Sequence, residues 1–176
     1  MPRPGLRQVG APLSLATEDR MRMATGARNQ QTGRAGEYFV AAELCRRGAY
    51  AVTFAGNMPR IDILASNLDR SRTVSLQVKT RRAGSWQTSI DEGERCRRSQ
   101  NETHFWVLVD LIAPPGPPQY YIVPGWWIRR NIYETHRAYL ARRGGVRAIN
   151  PTAKHHGIDV ARIRQWKDRW DLLHLF

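Results

Sequence analysis

Two runs decide the fold: Pro59-Arg60-Ile61-Asp62-Ile63-Leu64-Ala65, and Thr73-Val74-Ser75-Leu76-Gln77-Val78-Lys79-Thr80. In the second, side chains alternate with a period of two. Val74, Leu76 and Val78 share one face, while Ser75, Gln77 and Lys79 share the other. The first predicts a strand over 60–65, with Ile61, Ile63 and Ala65 on one face and Asp62 on the other. The polar loop from Ser66 to Arg72 reverses the chain, so the two strands are expected to pair as a hairpin with Asp62 beside Gln77. An acid in an apolar strand is costly unless a cation, a side chain or a bound metal, lies against it. Lys79 is conspicuous because the chain has only two other lysines, Lys154 and Lys167.

Upstream, the stretch from Gly33 to Gly48 predicts a helix capped at its start by Thr32 and ended by Gly48. Its apolar stripe is read as Ala35, Phe39, Ala42 and Cys45, broadened by Tyr38 and Ala41. Gly33 and Gly36 weaken such a helix, and their expected use is close backbone approach to a sheet. A strand over 50–54 follows, and Gly56-Asn57-Met58-Pro59 marks the next turn. Downstream, a helix is expected around Asp91 to Ser99, a strand over 104–112 and a stiff turn at Ala113-Pro-Pro-Gly-Pro-Pro118. A strand over 120–123 should pair with the previous one, a helix over 126–141 is ended by Gly144-Gly145, and a short helix is expected over 158–166. Residues 1–31, with scattered Pro, Arg and Gln, read as a flexible tail without the continuous apolar core of a secretory signal. Residues 32–176 form one mixed α/β (α+β) domain in the order αβββ(α)ββα.

Charge narrows the partners. The 176 residues carry 28 Lys+Arg against 15 Asp+Glu, a formal net charge of +13, almost all of it arginine. Arginine pairs with phosphate in a two-pronged geometry and stacks on bases, so nucleic acid is the expected partner, with a plain solvated basic surface as the alternative. No apolar run approaches the roughly 20 residues that span a bilayer, and no long amphipathic basic stretch suggests a membrane surface. Cys45 and Cys96 lack ligand spacing and are read as buried or half-buried free thiols of a cytoplasmic protein.

The pattern Pro59-x-x-Asp62, fourteen intervening residues, then Gln77-Val78-Lys79, preceded by a helix with Gly33-x-x-Gly36-Glu37 and Ala41-Ala42, resembles the PD-(D/E)XK nuclease superfamily in a Q-x-K variant. The resemblance covers about residues 33–82. It implies a restriction-endonuclease-like core and a divalent-metal-dependent endonuclease hydrolysing DNA with Mg²⁺ or Mn²⁺. Asp62 would bind the metal directly, Gln77 and the Val78 carbonyl would add oxygens, and Glu37 would hold a metal-bound water or a second metal. Lys79 would orient the attacking water and steady the phosphate charge. A homodimer would give both strands a site. Gln77 departs from the usual acid and removes one negative charge, so a nucleic-acid-binding relative without strong catalysis is the first rival. The second is an interaction or immunity protein reusing the fold, which requires a buried Asp62–Lys79 ion pair.

Plain readings compete for each residue: Glu37 as a helix-surface acid, Asp62 paired with Arg60 or Lys79, and Gln77 and Lys79 on a solvent face. Arg34, Arg60, Arg81, Arg82 and Trp86 are the expected nucleic-acid contacts, with Arg95, Arg97 and Arg98 on the next segment. His155-His156 is read as plain surface and His104 as without a partner. Trp126, Trp127, Trp166 and Trp170 are expected in packing rather than base stacking.

Overall fold

The period-two runs form the centre of a five-stranded sheet. In the computed structural model, which describes residues 15–54, 58–111, 116–147 and 150–176, helix α1 (Leu15–Arg46) leads into β1 (Tyr50–Thr53), β2 (Ile63–Ser66) and β3 (Thr73–Arg81). Next come β4 (Trp86–Ser89), β5 (His104–Asp110), β6 (Gln119–Pro124), α2 (Gly125–Ala141), β7 (His155–Ile158) and a one-turn helix α3 (Val160–Ile163). The main sheet runs β1-β2-β3-β5-β6, with β3 and β5 parallel and the other neighbours antiparallel. The mixed α/β class expected from the sequence is therefore what the chain forms. By its contacts the chain divides into Met1–Gln31 and Thr32–Phe176, and the second unit holds both sheets.

Each sheet face buries its own core. Val74, Leu76 and Val78 meet Phe105, Val107 and Val109 on one face, under Val40 and Leu44 of α1 and the closing Trp170 and Leu173. Trp106, Leu108 and Val123 look the other way, toward Ile128 and Ile132 of α2 and toward Trp86 and Ile158. β5 is buried on both faces, as a continuous apolar strand has to be.

Several expectations need correcting. α1 starts at Leu15, not at a Thr32 cap. Its buried stripe is Gly36, Val40 and Leu44, while Tyr38, Phe39, Ala42 and Cys45 are exposed. Spacing of four explains this: Gly36, Val40 and Leu44 fall on one line, and the missing side chain at Gly36 brings that line down onto the sheet. A Cβ built on Gly36 would stand 1.8 Å from Thr80 Oγ1, whereas one on Gly33 meets nothing within 4 Å. Close approach thus explains Gly36 and not Gly33. The helix expected over 91–99 is instead a 3₁₀ turn, Ile90–Glu92, followed by irregular chain.

A two-stranded ribbon of β4 and β7 also escaped the sequence reading. The segment expected as a helix over 158–166 is divided among the end of β7, α3 and a 3₁₀ turn, Arg164–Trp166. The β5–β6 hairpin and α2 form as expected, and Gly144 and Gly145 take positive φ after α2. Most of the turn at Gly56-Asn57 and the start of the proline turn lie outside the described residues.

Candidate active site

Strands β2 and β3 separate at Asp62. Their ladder ends at the pair Ile63↔Leu76, and continuing the register sets Asp62 opposite Gln77. Asp62 is a bend residue, so the strand expected over 60–65 loses its first three residues. The Asp62 N–H still donates to Leu76 O at 2.8 Å. One register step on, its carboxylate replaces the backbone: Oδ2 accepts the Val78 N–H at 2.6 Å. A charge-assisted bond of this kind holds the side chain firmly in the gap. A strand residue's N–H and C=O face the same neighbour, so the Val78 carbonyl also faces this gap.

Gln77 is buried, 7 % exposed, and its Oε1 has no hydrogen-bond partner among the described residues. A buried amide oxygen without a partner is costly, which makes it a landing point for a cation or a bound donor. Lys79 lies on the same face of β3, with Nζ 5.9 Å from the centroid of the Trp106 ring. That is a loose cation–π contact. Among the described residues Lys79 makes no ion pair with Asp62, so the salt bridge required by the interaction-protein reading is not formed.

Glu37 joins this region through two links. Its Oε2 accepts from Arg34 Nη1 at 2.8 Å, and the same nitrogen donates to Phe54 O at 3.2 Å. Phe54 N in turn donates to Asp62 O at 3.3 Å. The N-terminal stretch of the α1 segment in the second unit is thereby tied to the end of β1 and to the Asp62 bend. Among the described residues no three His, Cys, Asp or Glu side chains gather around one point. The oxygens that the register brings to this end of β3 are the Asp62 carboxylate, the neutral Gln77 amide oxygen and the Val78 carbonyl, while Glu37 is linked to the Asp62 bend through Arg34 and Phe54. Oxygen donors of this kind fit Mg²⁺, which keeps several waters and needs only one or two carboxylates. The missing acid at Gln77 leaves that fit weaker in charge than an Asp or Glu would.

The expected nucleic-acid contacts divide into two groups. Trp86 is fully buried, and its indole N–H donates to Val109 O at 2.8 Å. Arg81 is mostly buried, pairs with Asp110 and stacks 3.8 Å over the Trp86 ring centroid. These two belong to the core, because β4 turns back under the sheet instead of leaving it as an exposed loop. Arg34 is committed to Glu37. Arg60, at φ 65°, is exposed and 3.4 Å from Glu92, and the exposed Arg82 donates to Thr32 Oγ1 at 3.2 Å. Arg95, Arg97 and Arg98 are exposed. Arg95 and Arg97 line a basic pocket of about 640 Å³ with Arg130 and Arg137, which sequence reading missed because Arg130 and Arg137 come from α2.

Other side chains also differ from their reading. His104 has a partner, since Nδ1 lies 2.9 Å from Ser75 Oγ, and burial lowers its pKa. His156 is buried, with its pKa pushed down to about 4 by burial and by Arg162. Trp127 packs edge-on against Trp166 and Trp170 against Tyr120, as packing roles require.

No family model matches this chain, and no curated protein matches it. Among solved structures it is similar to Hjc, a Holliday junction resolvase from the archaeal hyperthermophile Archaeoglobus fulgidus. The TM-score is 0.47 at 19% identity, over 82% of this chain and 97% of that one. It is also similar to the bacterial homing endonuclease I-Ssp6803I, with a TM-score of 0.43 at 11% identity over 81% of this chain and 90% of that one. At that distance neither protein's activity transfers, and the chemistry has to come from the residues around Asp62.

Proposed function

We propose that this chain is a divalent-metal-dependent endonuclease that hydrolyses DNA phosphodiester bonds at the gap between β2 and β3. The observation that supports it is the buried, partnerless Gln77 Oε1 in register with an Asp62 carboxylate that is fixed on the Val78 N–H. Asp62, Gln77 Oε1 and the Val78 carbonyl would hold Mg²⁺ or Mn²⁺, with Glu37 holding an outer water. A bound metal would lower the pKa of its water and offset charge at phosphorus. Asp62 stays in place because its Oδ2 accepts the Val78 N–H, which presets the other carboxylate oxygen. Lys79, on the same face of β3 as Gln77, would donate to the phosphate oxygens and orient the water. The net charge of +13 favours DNA on approach, and a homodimer would present one site to each strand.

A second reading, binding without cutting, draws on the neutral Gln77 and on there being no three-acid cluster among the described residues. The deciding experiment is cleavage of labelled single-stranded, duplex, nicked, flap and four-way-junction DNA, and of RNA, with Mg²⁺, Mn²⁺ or EDTA. Asp62→Asn keeps an oxygen for the Val78 N–H while removing the charge, so it should fold and fail to cut. Lys79→Ala should also fail. Cutting that persists in EDTA or in Asp62→Asn rules out this centre. Salt-sensitive binding with no cutting in any metal selects the second reading.

A further inference from the structure

We propose that the pocket beside α2 and β7 is a phosphate-binding site, separate from the Asp62 centre, that holds a phosphate group of nucleic acid. The pocket is about 340 Å³ and gathers His136, Arg142, Arg147, His155, His156 and Arg162. Asp159 is the acid among its described lining residues.

Arg162 carries the argument. It is half-buried, and burial pushes its guanidinium below the ordinary value. Its N–H groups are directed at neutral acceptors. Nε donates to Asn131 Oδ1 at 3.0 Å and Nη2 to Asn131 and Thr135, while Nη1 donates to Gly157 O at 2.8 Å and lies 3.2 Å from His156 Nε2. His156 is held neutral and cannot offset the charge. Among the described residues no carboxylate is within ion-pair distance of Arg162, in contrast to Arg81, which has Asp110. Asp159 offsets part of the Arg162 charge from beyond ion-pair distance, but burial outweighs it. A guanidinium shielded from water without a carboxylate against it is destabilising, and an anion relieves it.

The surroundings add to that charge. Arg142 and Arg147 line the same pocket, and the buried Arg147 Nε and His136 Nε2 have no hydrogen-bond partner among the described residues. Arg147 Nη2 donates to His155 O at 2.9 Å, which fixes the guanidinium at the pocket wall. Forked donors suit the oxygens of a phosphate, and the doubled charge of a monoester suits three arginines better than a carboxylate does. The pocket lies at the C-terminal end of α2, where the helix dipole opposes an anion, so binding depends on the side chains.

The identity of the phosphate donor rests on the nucleic-acid reading above; the affinity for phosphate itself does not. The test is calorimetric titration of the full chain with inorganic phosphate at constant ionic strength, on wild type, Arg142→Gln, Arg147→Gln and Asp62→Asn, each checked for unchanged circular dichroism. Saturable binding is expected, weakened about tenfold or more in both arginine variants and unchanged in Asp62→Asn. No saturable binding by the folded wild type, or equal binding by the variants, overturns the site. The second arm compares 5′-phosphorylated with 5′-hydroxyl oligonucleotides. Tighter binding of the former, lost in Arg147→Gln, assigns a terminal phosphate. Equal binding, weakened in Arg147→Gln for both, assigns a backbone phosphate. Oligonucleotide binding indifferent to Arg147 overturns the assignment to nucleic acid, whether or not the chain cuts DNA.

Discussion

Gly36→Ala tests the contact that seats α1 on the sheet. A Cβ at Gly36 would meet Thr80 Oγ1 at 1.8 Å, Thr80 Cβ at 2.9 Å and Thr80 Cγ2 at 3.0 Å. Rotating Thr80 about χ1 moves Oγ1 but leaves Cβ in place, so side-chain adjustment cannot clear the conflict. The helix has to lift from β3 by roughly half an ångström or more, and overpacking of this kind costs about 1–3 kcal/mol. Replacing glycine inside a helix returns about 1 kcal/mol. The net is a loss of about 0–2 kcal/mol, up to roughly 8 °C in Tm for a unit of this size, against the gain expected where the space is open. Gly33→Ala is the control: it gains the same helix propensity with open space around it, so it should stabilise by about 0.5–1 kcal/mol. Thr80→Ala should recover part of the Gly36→Ala loss, read as a coupling in a urea double-mutant cycle. Because Glu37 is the next residue, lifting the helix should also weaken its bond to Arg34. If Gly36→Ala stabilises as Gly33→Ala does, or shows no coupling to Thr80, the close approach is wrong.

Three further outcomes are expected. Asp110→Asn leaves the mostly buried Arg81 without its carboxylate and should cost about 2–3 kcal/mol in urea unfolding, whereas Asp171→Asn at an exposed pair should change stability by about 0.5 kcal/mol or less. Stability should fall with acid through His156: its folded pKa is about 4 against an ordinary 6.5, so the unfolded chain takes up the proton first. The contribution is complete above the ordinary value and lost as pH drops toward 4, about 2 kcal/mol after solvent screening is discounted. His156→Gln should flatten that slope in urea melts at pH 7, 5.5 and 4.5. Trp86→Phe removes the donor to Val109 O and part of the core volume under α2, and should cost about 2–3 kcal/mol in urea unfolding.

The sequence was most legible where spacing alone fixes position. Val74, Leu76 and Val78 against Gln77 and Lys79 is a pure period-two pattern, and one hairpin loop was enough to set Asp62 opposite Gln77. The β5–β6 hairpin and α2 were readable for the same reason. The stripe on α1 was misread because its key member is a glycine, which leaves no apolar mark in a pattern. The sequence offers Trp86 and Arg81 as nucleic-acid contacts because their partners, Val109 and Asp110, come from a strand that is adjacent only through the parallel β3–β5 pairing. The pairing of His156 with Arg162 is hidden for a related cause: the groups that hold Arg162, Asn131 and Thr135, come from α2. The lone Oε1 of Gln77 could not be read at all, since whether an amide has a partner depends on every neighbour.

The β4–β7 ribbon has a consequence for the order in which the chain is made. Trp86 pairs with Ile158, so β4 leaves the ribosome long before its partner does. Until β7 arrives, the indole of Trp86 has its neighbours from β5 and β6 but lacks Ile158 and Ile163, which close the same cluster. A connection this distant is slow to form and leaves apolar surface and a strand edge open meanwhile. Nascent chains stopped before residue 155 should therefore engage chaperones that recognise exposed apolar segments, and release from them should coincide with emergence of β7.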